Sequence, residues 1–304
     1  MSSDDFPLLV LQPTLGPSQD WVAVRVLGAE TADAAVLSRL FDEFGLAQAI
    51  SGLTCLLPAT ALALLADAAL PAELALQTDS GEPAPPPHPH PPGKGPTQAL
   101  LLKILAQTTG DSETREIEAT LKQDPQLSVQ LLRLVNSVAF APTTRINSFA
   151  HAITLLGRRQ LQRWLQLLLY AGQSAGGATN PLLTAAALRA ALMEGLCKAS
   201  RADKAIQDEA FMVGMFSLLD QLFGKPLQEI VAPLNLVRDV SEALLERSGK
   251  LGELLALVEA AESGSAGTGP ELRRAGISNE AWCKVQVEAL SWTLKISRES
   301  QTTG

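Results

Sequence analysis

DPQLSVQLLRLVNSVAFAPTTRINSFAHAITLLG, Asp124 to Gly157, reads as two helices joined by a short loop. Asp124 is placed to cap the first, its carboxylate accepting from free amides of the first turn, and Pro125 sits where its missing N–H costs nothing. Leu127, Leu131, Leu134 and Val135 follow at helical spacing and make one apolar face. Asn136, Ser137 and Pro142 end that run. Asn147 or Ser148 can cap a second helix with Phe149, Ile153 and Leu156 inward, and Gly157 can take the left-handed conformation that closes it.

Outward from this pair, everything after Thr97 has helical patterning. Helices are expected over 98–108, 113–122, 158–171, 181–200, 205–223, 226–232, 236–247, 250–262 and 278–296. Turns fall at Gly224, Pro233, Gly249 and the Gly/Ser-rich loop around 263–269. Residues 1–80 differ. Pro7 to Gln12 and Trp21 to Leu27 are short and rich in Val and Leu, with a turn at Gly16, Pro17 and Ser18, as in a strand pair. Thr31 or Asp33 can cap a helix running to Phe44. Leu53 to Leu57 and Leu74 to Gln77 read as further strands, with a helix over 59–69 between them. Residues 81–96, GEPAPPPHPHPPGKGP from Gly81, are a linker, because alternating Pro and Gly cannot pair backbone groups or pack a core. The expected architecture is mostly α: a small α/β domain at 1–80, the linker at 81–96, and an all-helical domain at 97–300.

The run from Asp124 to Gly157 resembles the central signature of HDOD domains, helical relatives of the HD phosphohydrolases. It has the Asp-Pro before a helix, the Leu-Leu-Arg-Leu-Val-Asn-Ser end, and an Ala-Ile-x-x-Leu-Gly helix. The resemblance continues through Arg158 to Tyr170 and through Glu209 to Asp220. It implies an HD-like bundle with a regulatory role, in which Asp124, Pro125, Asn136, Ser137 and Gly157 are family-signature residues serving structure. The order strand, strand, helix, strand, helix, strand in residues 1–80 resembles the first part of an EAL domain, a cyclic di-GMP phosphodiesterase barrel. There Arg25 stands where the Glu-x-Leu motif would supply a metal-binding Glu, and the barrel is not completed before the linker. That resemblance implies a truncated, degenerate remnant unable to cleave cyclic di-GMP.

Composition bounds the function. With 304 residues and 46% apolar positions the chain can build substantial cores, and a net charge of −8 argues against binding nucleic acid through phosphate contacts. The acidic start, MSSDDF, is no signal peptide, and the apolar stretch 53–76 is interrupted by Pro58, Asp67, Pro71 and Glu73, so no membrane span is expected. Cys55, Cys197 and Cys283 are far apart and odd in number, which fits unlinked thiols in a reducing cytoplasm.

Catalytic constellations are missing. An HD phosphohydrolase holds its metal through several His and an adjacent His-Asp pair, because imidazole and carboxylate together fix a metal that activates water. Here there are three His: His88 and His90 in the linker, and His151, which Ala152 follows. His151 with Cys197 makes no convincing dyad, no Gly-x-Ser-x-Gly elbow surrounds any Ser, and Gly264 to Gly269 lacks the Lys-Ser or Lys-Thr of a phosphate loop. The expectation is therefore no catalytic residue, no metal and no cofactor.

One basic cluster remains. Arg159 and Arg163 lie four residues apart on one helix face, and with Arg145 they form a candidate surface for an acidic partner or a nucleotide phosphate; a solvated face is the blander reading. The function expected is a non-enzymatic bacterial signalling scaffold that binds another protein, in pathways such as cyclic di-GMP signalling, motility or biofilm control, with the N-terminal unit adding contacts or a homodimer surface. The alternative is a catalytically inactive module that binds a cyclic dinucleotide; a metal-dependent phosphohydrolase stands third.

Overall fold

A computed structural model describes residues 6–17, 20–65, 74–80, 96–109, 114–121, 123, 162–163, 165–167, 169–170, 181–234, 236–264 and 267–302. The signature stretch 124–157 lies outside the described residues, as do His88, His90, His151 and most of the linker.

Near the N-terminus the chain forms β1 (Val10–Leu15), β2 (Trp21–Leu27), β3 (Thr54–Leu57) and β4 (Ala75–Thr78) in one sheet of order β1-β2-β3-β4. β1 and β2 pair antiparallel, with Leu11 opposite Val26 and Gln12 opposite Arg25. β2–β3 and β3–β4 are parallel, which requires crossovers, and helices supply them. The first crossover holds α1 (Ala34–Ser38), a π turn over Arg39–Glu43, and α2 (Leu46–Ala49). The second holds α3 (Ala59–Leu64). Asp33 caps α1 by accepting from the Val36 N–H at 2.8 Å, as its position predicts. The helix expected to run on to Phe44 widens into the π turn. Leu11, Val24, Val26, Cys55 and Leu57 join Val36, Leu37, Leu40 and Phe41 in one buried cluster.

The later described residues are mostly helical: α4 (Pro96–Thr109), α5 (Thr114–Leu121), described helical residues between 162 and 170, α6 (Pro181–Ala199), α7 (Lys204–Phe216), α8 (Leu219–Phe223), α9 (Leu227–Val231), α10 (Arg238–Glu246), α11 (Gly249–Glu262), α12 (Thr268–Ala275) and α13 (Asn279–Thr302). α6 is apolar nearly all round, so it is buried on most sides and forms the axis of the bundle. It packs closely on α7: a Cβ at Gly214 would stand 2.5 Å from the backbone N and Cα of Ala190. Two expectations change. The helix expected over 205–223 breaks at Ser217 and Leu218 into α7 and α8, and α12 forms within a stretch read as loop and turn.

The sheet is joined to the bundle through the outer edge of β1. The carboxamide of Gln286, on α13, takes the place of a neighbouring strand: its Oε1 accepts from the Leu11 N–H at 2.7 Å and its Nε2 donates to the Leu9 carbonyl at 3.0 Å. Gln12 Nε2 donates to the Glu262 carbonyl, and Asn279 Nδ2 to the Phe6 carbonyl. Arg39 pairs with Glu280 at 2.8 Å, and its guanidinium carbon lies 5.4 and 5.3 Å from the ring centres of Phe6 and Phe44. An edge strand's unpaired N–H and C=O groups are a liability if left open, and here side chains of the bundle satisfy them.

Candidate functional site

Apart from Lys198 in its last turn, α6 carries two charged side chains, Arg189 and Glu194, within a largely apolar sequence, and a polar cluster grows around each. In the first, Arg189 donates to both carboxylate oxygens of Glu262 on α11, at 2.7 Å each. Its third nitrogen reaches the Ser217 hydroxyl at 3.0 Å, and Glu259 stands 3.5 Å away. Glu259 is itself held bidentately by Arg247, at 2.8 and 3.0 Å. Burial works against the Arg189 cation, but Glu262 and Glu259 outweigh it and raise its pKa. Tyr170, fully buried, donates to the Met215 carbonyl at 2.5 Å, and burial pushes its phenol far above the ordinary value.

In the second cluster, Arg163 donates to Glu194 at 2.6 Å and to Asp208 on α7 at 2.9 Å, while its guanidinium carbon lies 4.3 Å from the ring centre of Phe211. Lys204 adds contacts of 2.9 Å to Glu194 and 3.4 Å to Asp208. Burial works to raise the Glu194 pKa; the hydrogen bonds and charges of Arg163 and Lys204 prevail and lower it.

These clusters bind helices to one another. Each guanidinium is matched by a carboxylate from a different element, the geometry of internal clamps. Among the described residues no group of three or more His, Cys, Asp and Glu side chains could hold a metal ion. Cys197 is fully buried, and burial pushes its thiol up to about 11; Cys55 and Cys283 reach about 12 for the same reason, so none is poised as a nucleophile. All three are free thiols.

Of the three arginines singled out in the sequence, only Arg163 is described, and its guanidinium faces inward to Glu194, Asp208 and Phe211. Arg145 and Arg159 lie outside the described residues, as do Asp124, Pro125, Asn136, Ser137 and Gly157. Arg25, at the position assigned to a lost metal-binding Glu, is buried and paired with Asp79 at 3.0 Å. Sequence reasoning missed Arg189, although a lone Arg within so apolar a helix had to be paired. Gln286 gave no such signal.

Residues 96–231 match the family model of the HDOD domain. The chain carries an HDOD domain. Two curated relatives are similar to it: the uncharacterized protein YuxH of Bacillus subtilis, 32% identical over 181 residues, and the cyclic di-GMP phosphodiesterase CdgJ of Vibrio cholerae, 32% identical over 183 residues. These alignments cover 59% and 60% of this chain but only 43% and 42% of the relatives, so the chain spans less than half the length of either. Among solved structures, a protein of Shewanella amazonensis provisionally named a phosphohydrolase gives a TM-score of 0.44 at 15% identity, covering 69% of this chain and 95% of its own. An HDOD domain protein of unknown function from Geobacter sulfurreducens gives 0.36 at 16%, covering 62% and 76%. The HDOD domain here is thus preceded by a small α/β sheet in a mostly helical chain, and no helix among the described residues is long and apolar enough to cross a membrane.

Proposed function

We propose that the chain is a non-enzymatic signalling scaffold whose HDOD domain binds a protein partner and alters that partner's activity. The observation that carries this reading is how charged groups of the HDOD domain are used. Arg163, Arg189, Glu194 and Asp208 are committed, with Glu259 and Glu262 from the helix α11 that follows the matched residues, as clamps between helices, which suits a rigid platform better than a reaction centre. In the same reading residues 1–80 are a degenerate EAL-like remnant acting as an accessory unit. The strand order, with only the first pair antiparallel, and the buried Arg25–Asp79 pair support it. Cytoplasmic localisation and a homodimer contact through that unit belong to the same proposal.

A second reading takes its ligand from the likeness to CdgJ and its lack of turnover from the missing His-Asp pair: the HDOD domain binds a cyclic dinucleotide without cleaving it. Calorimetric titration with cyclic di-GMP separates the two. Heat saturating at micromolar ligand supports the sensor; its absence at high micromolar ligand removes it.

The scaffold itself is tested by capture on the tagged full-length chain, followed by assay of the retained protein with and without it. A retained protein whose activity changes on binding supports the proposal, and one bound without effect on activity counts against it. Arg159→Ala with Arg145→Ala is the variant to compare, since these two residues belong to the basic cluster read from the sequence, whereas Arg163→Ala breaks the Glu194–Asp208 clamp and confuses binding with folding.

A further inference from the structure

Between sheet and bundle lies a pocket of about 180 Å³, half open to solvent. Val10 and Trp21 of the sheet stand on one side; Leu188 and Leu192 of α6, Val258 of α11 and Trp282 of α13 stand on the other. Three polar side chains that line it have partners inside the protein. Gln286 gives both ends of its carboxamide to the β1 backbone, Gln12 donates to the Glu262 carbonyl, and Glu262 accepts from Arg189 with both carboxylate oxygens. Trp282 is different. It is fully buried, and its Nε1–H finds no acceptor among the described residues.

An indole N–H can only donate, and a buried Trp ordinarily gives it a partner. A donor stripped of water and left unpaired carries a desolvation penalty that an incoming acceptor removes. The surroundings narrow what that acceptor is attached to. Water does not reach Nε1 in the open pocket, so the acceptor must arrive on a body that the apolar walls themselves bind, with a small shift of the wall side chains. An anion meets the Glu262 carboxylate at the wall, and a cation competes with Arg189, which already holds both its oxygens. The space suits one six-membered ring with a substituent, since a cavity of ~150 Å³ takes up benzene.

We infer that this pocket binds a small, uncharged molecule with an apolar body and one carbonyl acceptor, a ketone or an ester, to which Trp282 Nε1–H donates. Such a ligand touches the sheet and helices α6, α11 and α13 together, so it favours their docked arrangement over any in which they separate. The inference goes beyond the scaffold proposal and does not depend on it, since it concerns a small molecule at the seam, whatever protein the HDOD domain binds.

The test uses cyclohexanone, with cyclohexane as the same ring lacking an acceptor. The full chain has four Trp, and nitrogen-15 labelling of the indoles gives an N–H resonance for each; that of Trp282 is the one lost in Trp282→Phe. Cyclohexanone should move the Trp282 proton downfield and saturably, and cyclohexane at its solubility limit should leave it in place. Affinity for cyclohexanone, read at Trp21 across the pocket, should fall about tenfold in Trp282→Phe. If that variant does not fold, Trp21→Phe, Trp164→Phe and Trp292→Phe assign the Trp282 resonance by elimination, and the response of the unmodified protein to the two probes decides. No saturable shift at Trp282 up to the solubility limit of cyclohexanone overturns the inference. So does an equal response to cyclohexane, unchanged affinity in Trp282→Phe, or a response confined to Trp292, which lines a separate pocket between α2 and α13.

Discussion

Replacing Gln286 by Leu should destabilise the whole chain, although no part of any polar cluster is touched. Gln286 is only 3% exposed, and its carboxamide serves two backbone groups, the Leu11 N–H at 2.7 Å and the Leu9 carbonyl at 3.0 Å. Leu fills most of the volume but leaves both groups buried and unpaired. Each such group costs about 1–3 kcal/mol, so the loss of both should be about 2–6 kcal/mol. Gln286→Glu makes a sharper test. A protonated Glu can still accept from Leu11 and donate to Leu9, whereas the carboxylate meets a carbonyl oxygen and loses hydration. Its folded pKa therefore rises above the unfolded value of about 4.3. A raised folded pKa means stability present below the unfolded pKa and lost as pH rises through the folded one. Gln286→Glu should match the unmodified protein near pH 4 and fall behind it towards pH 7. Urea unfolding at both pH values measures this. A loss under 0.5 kcal/mol for Gln286→Leu, or a pH-independent gap for Gln286→Glu, refutes the reasoning.

Three further outcomes follow from the bundle. Gly214→Ala places a methyl 2.5 Å from the Ala190 backbone, so α6 and α7 must separate; a cost of about 3 kcal/mol is expected in chemical denaturation, and a neutral result contradicts the close approach. Arg189→Met strands Glu262 and weakens the hold on Glu259, and should cost about 2–4 kcal/mol, below the figure for full burial because both carboxylates keep about a third of their surface in water. Since the folded Glu194 pKa is lowered, its stabilisation is present above the unfolded value of about 4.3 and lost as pH falls through the folded one. Arg163→Ala should therefore cost about 2 kcal/mol at pH 7, and the gap from the unmodified protein should narrow below about pH 4; a constant gap in pH-dependent unfolding contradicts the clamp.

Much of the secondary structure was legible because it rests on local signals. β2 falls on Trp21–Leu27 as its Val and Leu run predicts, the Asp33 cap forms, and α6 opens at Pro181 where a missing N–H costs nothing. The split between α7 and α8 was not legible, since helical periodicity runs on through Ser217, whose hydroxyl is instead drawn to Arg189 and to the Gly214 carbonyl. α12 was hidden by the Gly-rich composition before it. The candidate site was less legible still. Arg163 reads in sequence as one of a basic group, and only the tertiary fold brings Glu194 and Asp208, on later helices, against it. Gln286 cannot be found by pattern, because its partners are backbone groups some 275 residues earlier in the chain.

The most direct test of a non-enzymatic HDOD scaffold is a turnover assay: the purified full-length chain incubated with cyclic di-GMP and Mg²⁺ or Mn²⁺, with products separated by chromatography. The account predicts no linear dinucleotide or GMP above the protein-free control with either metal. Product that scales with protein concentration and disappears on chelation would contradict it.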